Sequence, residues 1–355
     1  MSFKVEQSEK IYVAGHTGLV GSAIVRALKA RGYNNILTRT HSELDLTNQQ
    51  AVEDFFRDNK PQYVFLAAAK VGGIMANSTY PADFIYDNLV ISTNIIHASF
   101  KHKVKKLCNL GSSCIYPKFA SQPIKESELL TSPLEQTNEA YAIAKIAAIK
   151  LCNFYNKQYG TNFISVMPTN QYGIGDNFNM ETAHLLPMVI RRFHLARLLQ
   201  NDSWDEIRKD LAANPIGWHL EYSEHASNSE LEKLLNTLGA YRDKVVLWGD
   251  GSVYRELMCS DDMADACLYL MENVEANEIG ELVNITAGTD IQLKDLFNLV
   301  QEITGFIGRL EYDKTKPNGT PRKLMDAAKI RSLGWQPKTN LKEGIESYYR
   351  WYCNQ

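Results

Sequence analysis

Residues Lys10–Gly32 read KIYVAGHTGLVGSAIVRALKARG, and this stretch decides the fold class. KIYVAG, Lys10 to Gly15, is an apolar run with the composition of a buried strand, and SAIVRALKARG, Ser22 to Gly32, has the spacing of an amphipathic helix that stops at a glycine. Between them lie Gly15, Gly18 and Gly21. Glycines at such a turn permit a sharp reversal, a close backbone approach to a pyrophosphate and tight helix–strand packing, while the helix N-terminus attracts negative charge. One glycine could serve turn geometry alone. Three of them, at the first strand-to-helix turn of the chain, predict dinucleotide binding.

The alternation continues outward. NNILTRT (Asn34 to Thr40), QYVFLAAAK (Gln62 to Lys70) and KLCNLG (Lys106 to Gly111) read as strands, and TNQQAVEDFFRDNK (Thr47 to Lys60) and NLVISTNIIHASFKH (Asn88 to His102) as the helices between them. Regular strand–helix alternation with apolar strands predicts a parallel sheet covered on both faces. ISVMP (Ile164 to Pro168) and KVVLWG (Lys244 to Gly249) are expected to complete it. The expected architecture is α/β: a Rossmann-type doubly wound parallel sheet over residues 1–170 plus about 244–270, with a smaller mixed α/β substrate-binding lobe over 171–243 and 271–355. The polar stretch 200–243, with SWDEIRKDLAAN and NSELEKLLNTLG, reads as a helical insertion on that lobe.

Composition narrows the function. The chain has 355 residues, 45% hydrophobic and 22% charged, which suits a globular protein with a sizeable core. A formal net charge of -3 argues against nucleic acid as a partner. No apolar run suggests a membrane span, and MSFKVEQSEK resembles no signal or transit peptide. The six cysteines lack metal-ligand spacing, so no metal is expected, and free thiols fit a reducing cytoplasm.

Three further features carry chemistry. The second strand ends in LTRTHSELDL, where Arg39 and His41 precede the first carboxylate, Glu43; basic residues there suit the 2′-phosphate of NADP. YAIAK sets Tyr141 and Lys145 four apart, on one helix face. A nearby ammonium favours the phenolate, so the tyrosine would exchange a proton below its ordinary pKa of about 10. GSSCIYPK, Gly111 to Lys118, lies at the carboxyl end of a strand, where open α/β sheets bind ligands, and Ser112 could donate to a carbonyl oxygen shared with Tyr141. Taken alone, Cys114 reads as a small core filler and His184 as a structural or surface residue.

Glycine turn, strand-end serine and Tyr-x-x-x-Lys together resemble the extended short-chain dehydrogenase/reductase superfamily. AAAKVGGIMANSTYPADFIYDN, LGSSCIYPK, NEAYAIAKIAAIKLC, SVMPTNQYG and TKPNGTPRKLMD narrow the resemblance to the GDP-L-fucose synthase family, bifunctional 3,5-epimerase-4-reductases. The resemblance implies NADP(H) held by Gly15, Thr17, Gly18, Leu19, Val20, Gly21, Arg39, His41, Asp45, Leu46 and Ala68, with Tyr141 and Lys145. It implies Ser112, Tyr141 and Lys145 as the reductase residues and Cys114 and His184 as the base and acid of epimerisation. It places Asn170, His184, Arg192, Trp248, Arg255 and Lys316 around a GDP-sugar, and it implies a homodimer. Thr17 and His41 stand where relatives often have arginine, and RELM (Arg255 to Met258) departs from the usual aromatic after Arg-Glu. Three readings remain at this point: the epimerase-reductase, a C4-reductase of another GDP-4-keto sugar such as a 6-deoxy-heptose in capsule synthesis, and a non-catalytic dinucleotide sensor. The third has no use for Ser112, Tyr141 and Lys145 together.

Overall fold

A computed structural model describes residues 8–218, 220, 222–223, 225–316 and 320–355. The chain forms two compact units, one of residues 1–171, 256–289 and 324–339 and the other of 172–255, 290–323 and 340–355.

The first unit is built on six parallel strands: β1 (Ile11–Ala14), β2 (Ile36–Leu37), β3 (Tyr63–Leu66), β4 (Lys106–Leu110), β5 (Phe163–Pro168) and β6 (Val283–Ile285). Their order across the sheet is β6-β5-β4-β3-β1-β2. The connection direction reverses at β1, so the crevice at the carboxyl ends of β1 and β3 is where this architecture takes a ligand. Strand side chains alternate between faces, and both faces are apolar. Ile11, Val13, Tyr63 and Phe65 enter one core cluster, while Tyr12, Ala14, Val64 and Leu66 enter the other. That two-sided burial produces the continuous apolar runs read in the sequence.

The segment at Lys244 does not return to this sheet. Lys244–Trp248 pairs in parallel with Arg309–Asp313 in the second unit, and the sixth central strand is Val283–Ile285. The reason lies in burial. Lys244–Trp248 alternates buried and partly exposed residues, as a two-stranded surface ribbon does, whereas Val283–Ile285 is buried throughout. The 200–243 stretch does carry two helices, Trp204–Ala213 and Asn228–Thr237, within the second unit. Of its residues, His219, Glu221 and Glu224 lie outside those described.

One buried carboxylate ties distant parts of the first unit together. Glu256, fully buried, accepts from the Thr286 hydroxyl, from the Gly288 N–H at 2.9 Å and from the Met325 N–H at 3.1 Å. Its own carbonyl oxygen accepts from Asn170 Nδ2 at 3.0 Å. Glu256→Ala leaves the Met325 N–H without its acceptor, while the Gly288 N–H keeps the Thr286 hydroxyl at 3.1 Å and that hydroxyl keeps the Met325 carbonyl at 3.4 Å; at about 1–3 kcal/mol for a buried group left unsatisfied, unfolding free energy should fall by about 1–3 kcal/mol. Urea unfolding of Glu256→Ala beside Glu256→Gln, which keeps one acceptor oxygen and should lose less, measures this.

Candidate active site

At the end of β1 the backbone turns at Gly15 with φ of +82°, a conformation that favours glycine. A Cβ on Gly15 would lie 2.6 Å from the Ala68 backbone at the end of β3, and one on Gly21 would lie 2.0 Å from the Gly15 carbonyl oxygen. Gly18 is the N-cap of the helix Leu19–Ala30, which has no side-chain cap and no acidic residue in its first turn. Thr17 and Gly18 are exposed, and Leu19 and Val20 open the helix. This is an uncapped helix N-terminus in a cradle with no room for side chains, which fits a diphosphate.

Arg39 lies with its guanidinium carbon 5.4 Å from the Phe55 ring centroid and donates to the Thr38 carbonyl at 2.7 Å; among the described residues no carboxylate pairs with it. Glu43 is committed to the Thr40 N–H at 2.7 Å and hydroxyl at 2.8 Å, bonds that hold its pKa below the ordinary value. His41 is exposed and 4.0 Å from Asp45, whose carboxylate is bound by Thr47. Leu46 and Ala68 are half-buried beside the Tyr12 and Val64 core.

Four of the residues read from the sequence meet at the end of β4. Ser112 caps a short 3-10 turn, Ser113–Ile115, and its Oγ accepts from the Cys114 N–H at 3.4 Å. Tyr141 lies within hydrogen-bonding reach of the Ser112 side chain, and the Cys114 thiol is close enough to act on both Tyr141 and Lys145. Lys145, four residues along the helix Glu139–Tyr159, places Nζ 5.7 Å from the Tyr141 ring centroid and donates to the Leu110 carbonyl at 2.9 Å.

The electrostatics differ from the expected phenolate–ammonium pair. Burial raises the Tyr141 pKa, with the Cys114 charge adding to the rise and the Ser112 hydrogen bond opposing it. Burial also pushes Lys145 down to about 8. Loss of hydration dominates at both groups, so Tyr141 is a neutral phenol here, a proton donor.

In the second unit, His184 is the exposed N-cap of the helix Leu185–Gln200, and the protein around it lowers its pKa, favouring the neutral imidazole. Arg192, on that helix, is 2% exposed, and its Nε and Nη1 have no hydrogen-bond partner among the described residues. Its guanidinium carbon lies 5.7 Å from the ring centroid of Trp248, and Lys316 Nζ lies 5.4 Å from the same centroid. Burial lowers the Arg192 pKa to about 10. Arg255 donates to the carbonyls of Tyr254 and Thr320, both at 2.7 Å. Two cations thus lie against one aromatic ring, one of them buried with no anion beside it among the described residues, an arrangement whose chemistry suits a negatively charged group. Asn170 is an exposed residue of the first unit, bonded to Glu256.

The NAD dependent epimerase/dehydratase family matches residues 11–208 and 212–286. The chain belongs to this family. It is 52% identical over 351 residues to the putative GDP-L-fucose synthase 2 of Arabidopsis thaliana, covering 99% of this chain and 94% of that relative. It is 43% identical to the GDP-L-fucose synthase of Escherichia coli K12, over 97% of this chain and 96% of the relative. Among solved structures it resembles a GDP-mannoheptose C4 reductase from Campylobacter jejuni with NADP bound, at 41% identity and a TM-score of 0.87, covering 98% of this chain and 99% of that one.

In this epimerase/dehydratase chain the sequence motifs missed Glu256 and Arg191. Glu256 follows Arg255 directly, and nothing in its local sequence marks it as buried. Arg191 was legible only as the neighbour of Arg192.

Lys145 gives a test. Its pKa falls from 10.5 when unfolded to about 8 when folded, so the unfolded chain binds more protons between those values and the stability of cofactor-free protein rises with pH across that window. At pH 7 the buried ammonium costs roughly 3 kcal/mol. Lys145→Met should raise the urea midpoint at pH 7 and flatten its rise toward pH 10, while ketone reduction falls by about 100-fold or more.

Proposed function

We propose that this chain converts a GDP-4-keto-6-deoxy sugar by epimerisation at C3 and C5 followed by NADPH-dependent reduction of the C4 ketone, giving GDP-L-fucose or a close analogue. The observation that carries this reading is the cluster of Ser112, Cys114, Tyr141 and Lys145 in a chain 52% identical to a putative GDP-L-fucose synthase.

The 4-keto group acidifies the C–H bonds at C3 and C5. Cys114, as the thiolate, takes a proton from one face and becomes the thiol, and His184, as the imidazolium formed by taking a proton from solvent, gives that proton to the other face and returns to the neutral imidazole. Ser112 and Tyr141 hydrogen-bond the developing enolate oxygen. The same pair then holds the C4 carbonyl, and Tyr141 gives the oxygen its proton. Lys145, close behind the tyrosine, steadies the phenolate that results. NADPH, when bound, supplies the hydride. Gly15, Thr17, Gly18, Leu19, Val20 and Gly21 would hold its diphosphate, Arg39 and His41 its 2′-phosphate, and Asp45, Leu46 and Ala68 its nucleoside. Arg192, Arg255 and Lys316 offset the charge of GDP, Trp248 offers it a flat face, and Asn170 bonds the sugar nucleotide.

A second reading is C4 reduction alone, of another GDP-4-keto sugar such as a 6-deoxy-heptose destined for capsular polysaccharide. The 41% identity to a GDP-mannoheptose C4 reductase favours it. We place the enzyme in the cytoplasm as a homodimer; exposed Tyr86, Ile143, Phe154 and Tyr159 on the helices Pro81–Lys101 and Glu139–Tyr159 of the first unit support the pairing.

Enzyme and GDP-4-keto-6-deoxy-mannose in D2O without cofactor should gain deuterium at C3 and C5. Competent NADPH oxidation with a 4-keto sugar but no exchange would leave the reductase reading. Cys114→Ser should abolish exchange and spare reduction of the already epimerised ketone, whereas Tyr141→Phe should cripple reduction.

For the cofactor, Arg39→Ala should raise KM for NADPH by about tenfold or more with kcat nearly unchanged, since a hydrogen bond to a charged group contributes about 1.5–3 kcal/mol. Steady-state kinetics with NADPH and NADH side by side measure the effect, and an equal rise for both cofactors would remove Arg39 from 2′-phosphate recognition.

A further inference from the structure

The helical insertion over 200–243 has no part in the reaction as described, yet it holds the segment that delivers His184. All residues involved lie in the second unit. Arg191 is fully buried, and each of its three guanidinium nitrogens has a partner. Its Nε donates to Asp210 Oδ1 at 2.9 Å, Nη1 to the carbonyls of Phe178 at 2.8 Å and Pro215 at 2.9 Å, and Nη2 to the Asn214 carbonyl at 2.8 Å. One guanidinium thus grips the insertion at three points and the segment before His184 at a fourth.

A second contact lies closer to the histidine. Glu181 Oε2 accepts from the backbone N–H of Trp218, in the insertion loop, at 2.6 Å. The loop reaches this position through two left-handed residues, Gly217 at φ of +85° and Trp218 at +51°. A Cβ on Gly217 would lie 2.5 Å from Glu181 Cβ and 2.8 Å from Asn179 Oδ1. Asn179 closes the turn between, accepting at Oδ1 from the N–H groups of Glu181 at 2.9 Å and Thr182 at 3.2 Å, and at its carbonyl from the Ala183 N–H at 2.8 Å. His184 is the next residue, so displacement of Glu181 passes to it through a closed turn with little slack.

We propose that Glu181, braced by Gly217 and Trp218 of the insertion, is a positioning residue for His184, and that the insertion tunes the proton return in epimerisation. The proposal rests on the reading of His184 as the acid. Glu181 is exposed, so its replacement leaves the core intact. The test uses the full chain, with deuterium entry into GDP-4-keto-6-deoxy-mannose in D2O as one readout and NADPH oxidation with the already epimerised ketone as the other. Glu181→Ala and Gly217→Ala should each lower deuterium entry by about tenfold or more and change reduction by less than about twofold, the scale expected when a reacting group is misplaced by about 1 Å. Glu181→Gln, whose amide oxygen still accepts from Trp218, should restore exchange. Unchanged exchange in both variants overturns the proposal, as does a parallel fall of exchange and reduction, which marks a merely structural role. His184→Asn serves as the reference. If it exchanges like the parent enzyme, the assignment of the acid fails first and the proposal fails with it, a result distinct from an active histidine that is indifferent to Glu181.

Discussion

A Cβ atom on Gly21 would sit 2.0 Å from the carbonyl oxygen of Gly15, and one on Gly15 would sit 2.6 Å from the backbone of Ala68. Three chain segments, the end of β1, the first turn of the following helix and the end of β3, therefore meet with no room for side chains. Because β1 sits where the sheet order reverses, the same crowding that seats the helix on the sheet also leaves its N-terminus bare. Helix packing and an N-terminus open to an anion thus come from one constraint here.

Burial, rather than pairing, sets the chemistry at the end of β4. An ammonium near a phenol would lower the phenol's pKa in water. Inside the protein each group loses hydration, and both shift toward their neutral forms. A neutral Tyr141 suits proton donation to a ketone reduced at C4. Any charge that later forms beside Lys145 would meet a lysine able to take or release a proton near pH 8.

The glycine turn, the Tyr-x-x-x-Lys pair and the strand-end serine were legible because each is local: a few residues in fixed register on one element. Lys244–Trp248 was misassigned because an apolar run alone does not say which sheet it joins; the alternation of its burial becomes visible only beside Arg309–Asp313. The second strand, read over Asn34–Thr40, is paired only at Ile36–Leu37. Glu256 escaped notice for a related reason. Its partners Thr286, Gly288 and Met325 lie tens of residues away, and a satisfied buried carboxylate leaves no periodic trace. The pKa of Tyr141 depends on burial, which spacing does not report.

Arg191 and Arg192 show how neighbouring identical residues divide structure from function. Successive residues on a helix point about 100° apart, so the two guanidinium groups enter different surroundings. Arg191 meets a carboxylate and three carbonyls, which replace the water it loses, and it joins segments of the second unit. Arg192 is nearly as buried, yet two of its nitrogens face no acceptor among the described residues and its neighbour is the face of Trp248. A cation buried that way destabilises the free protein unless something restores its hydrogen bonds. Aromatic contact offsets only part of that cost. An anion at Arg192 would recover the remainder, so part of its binding free energy is stored in advance as the unmet demand of one guanidinium.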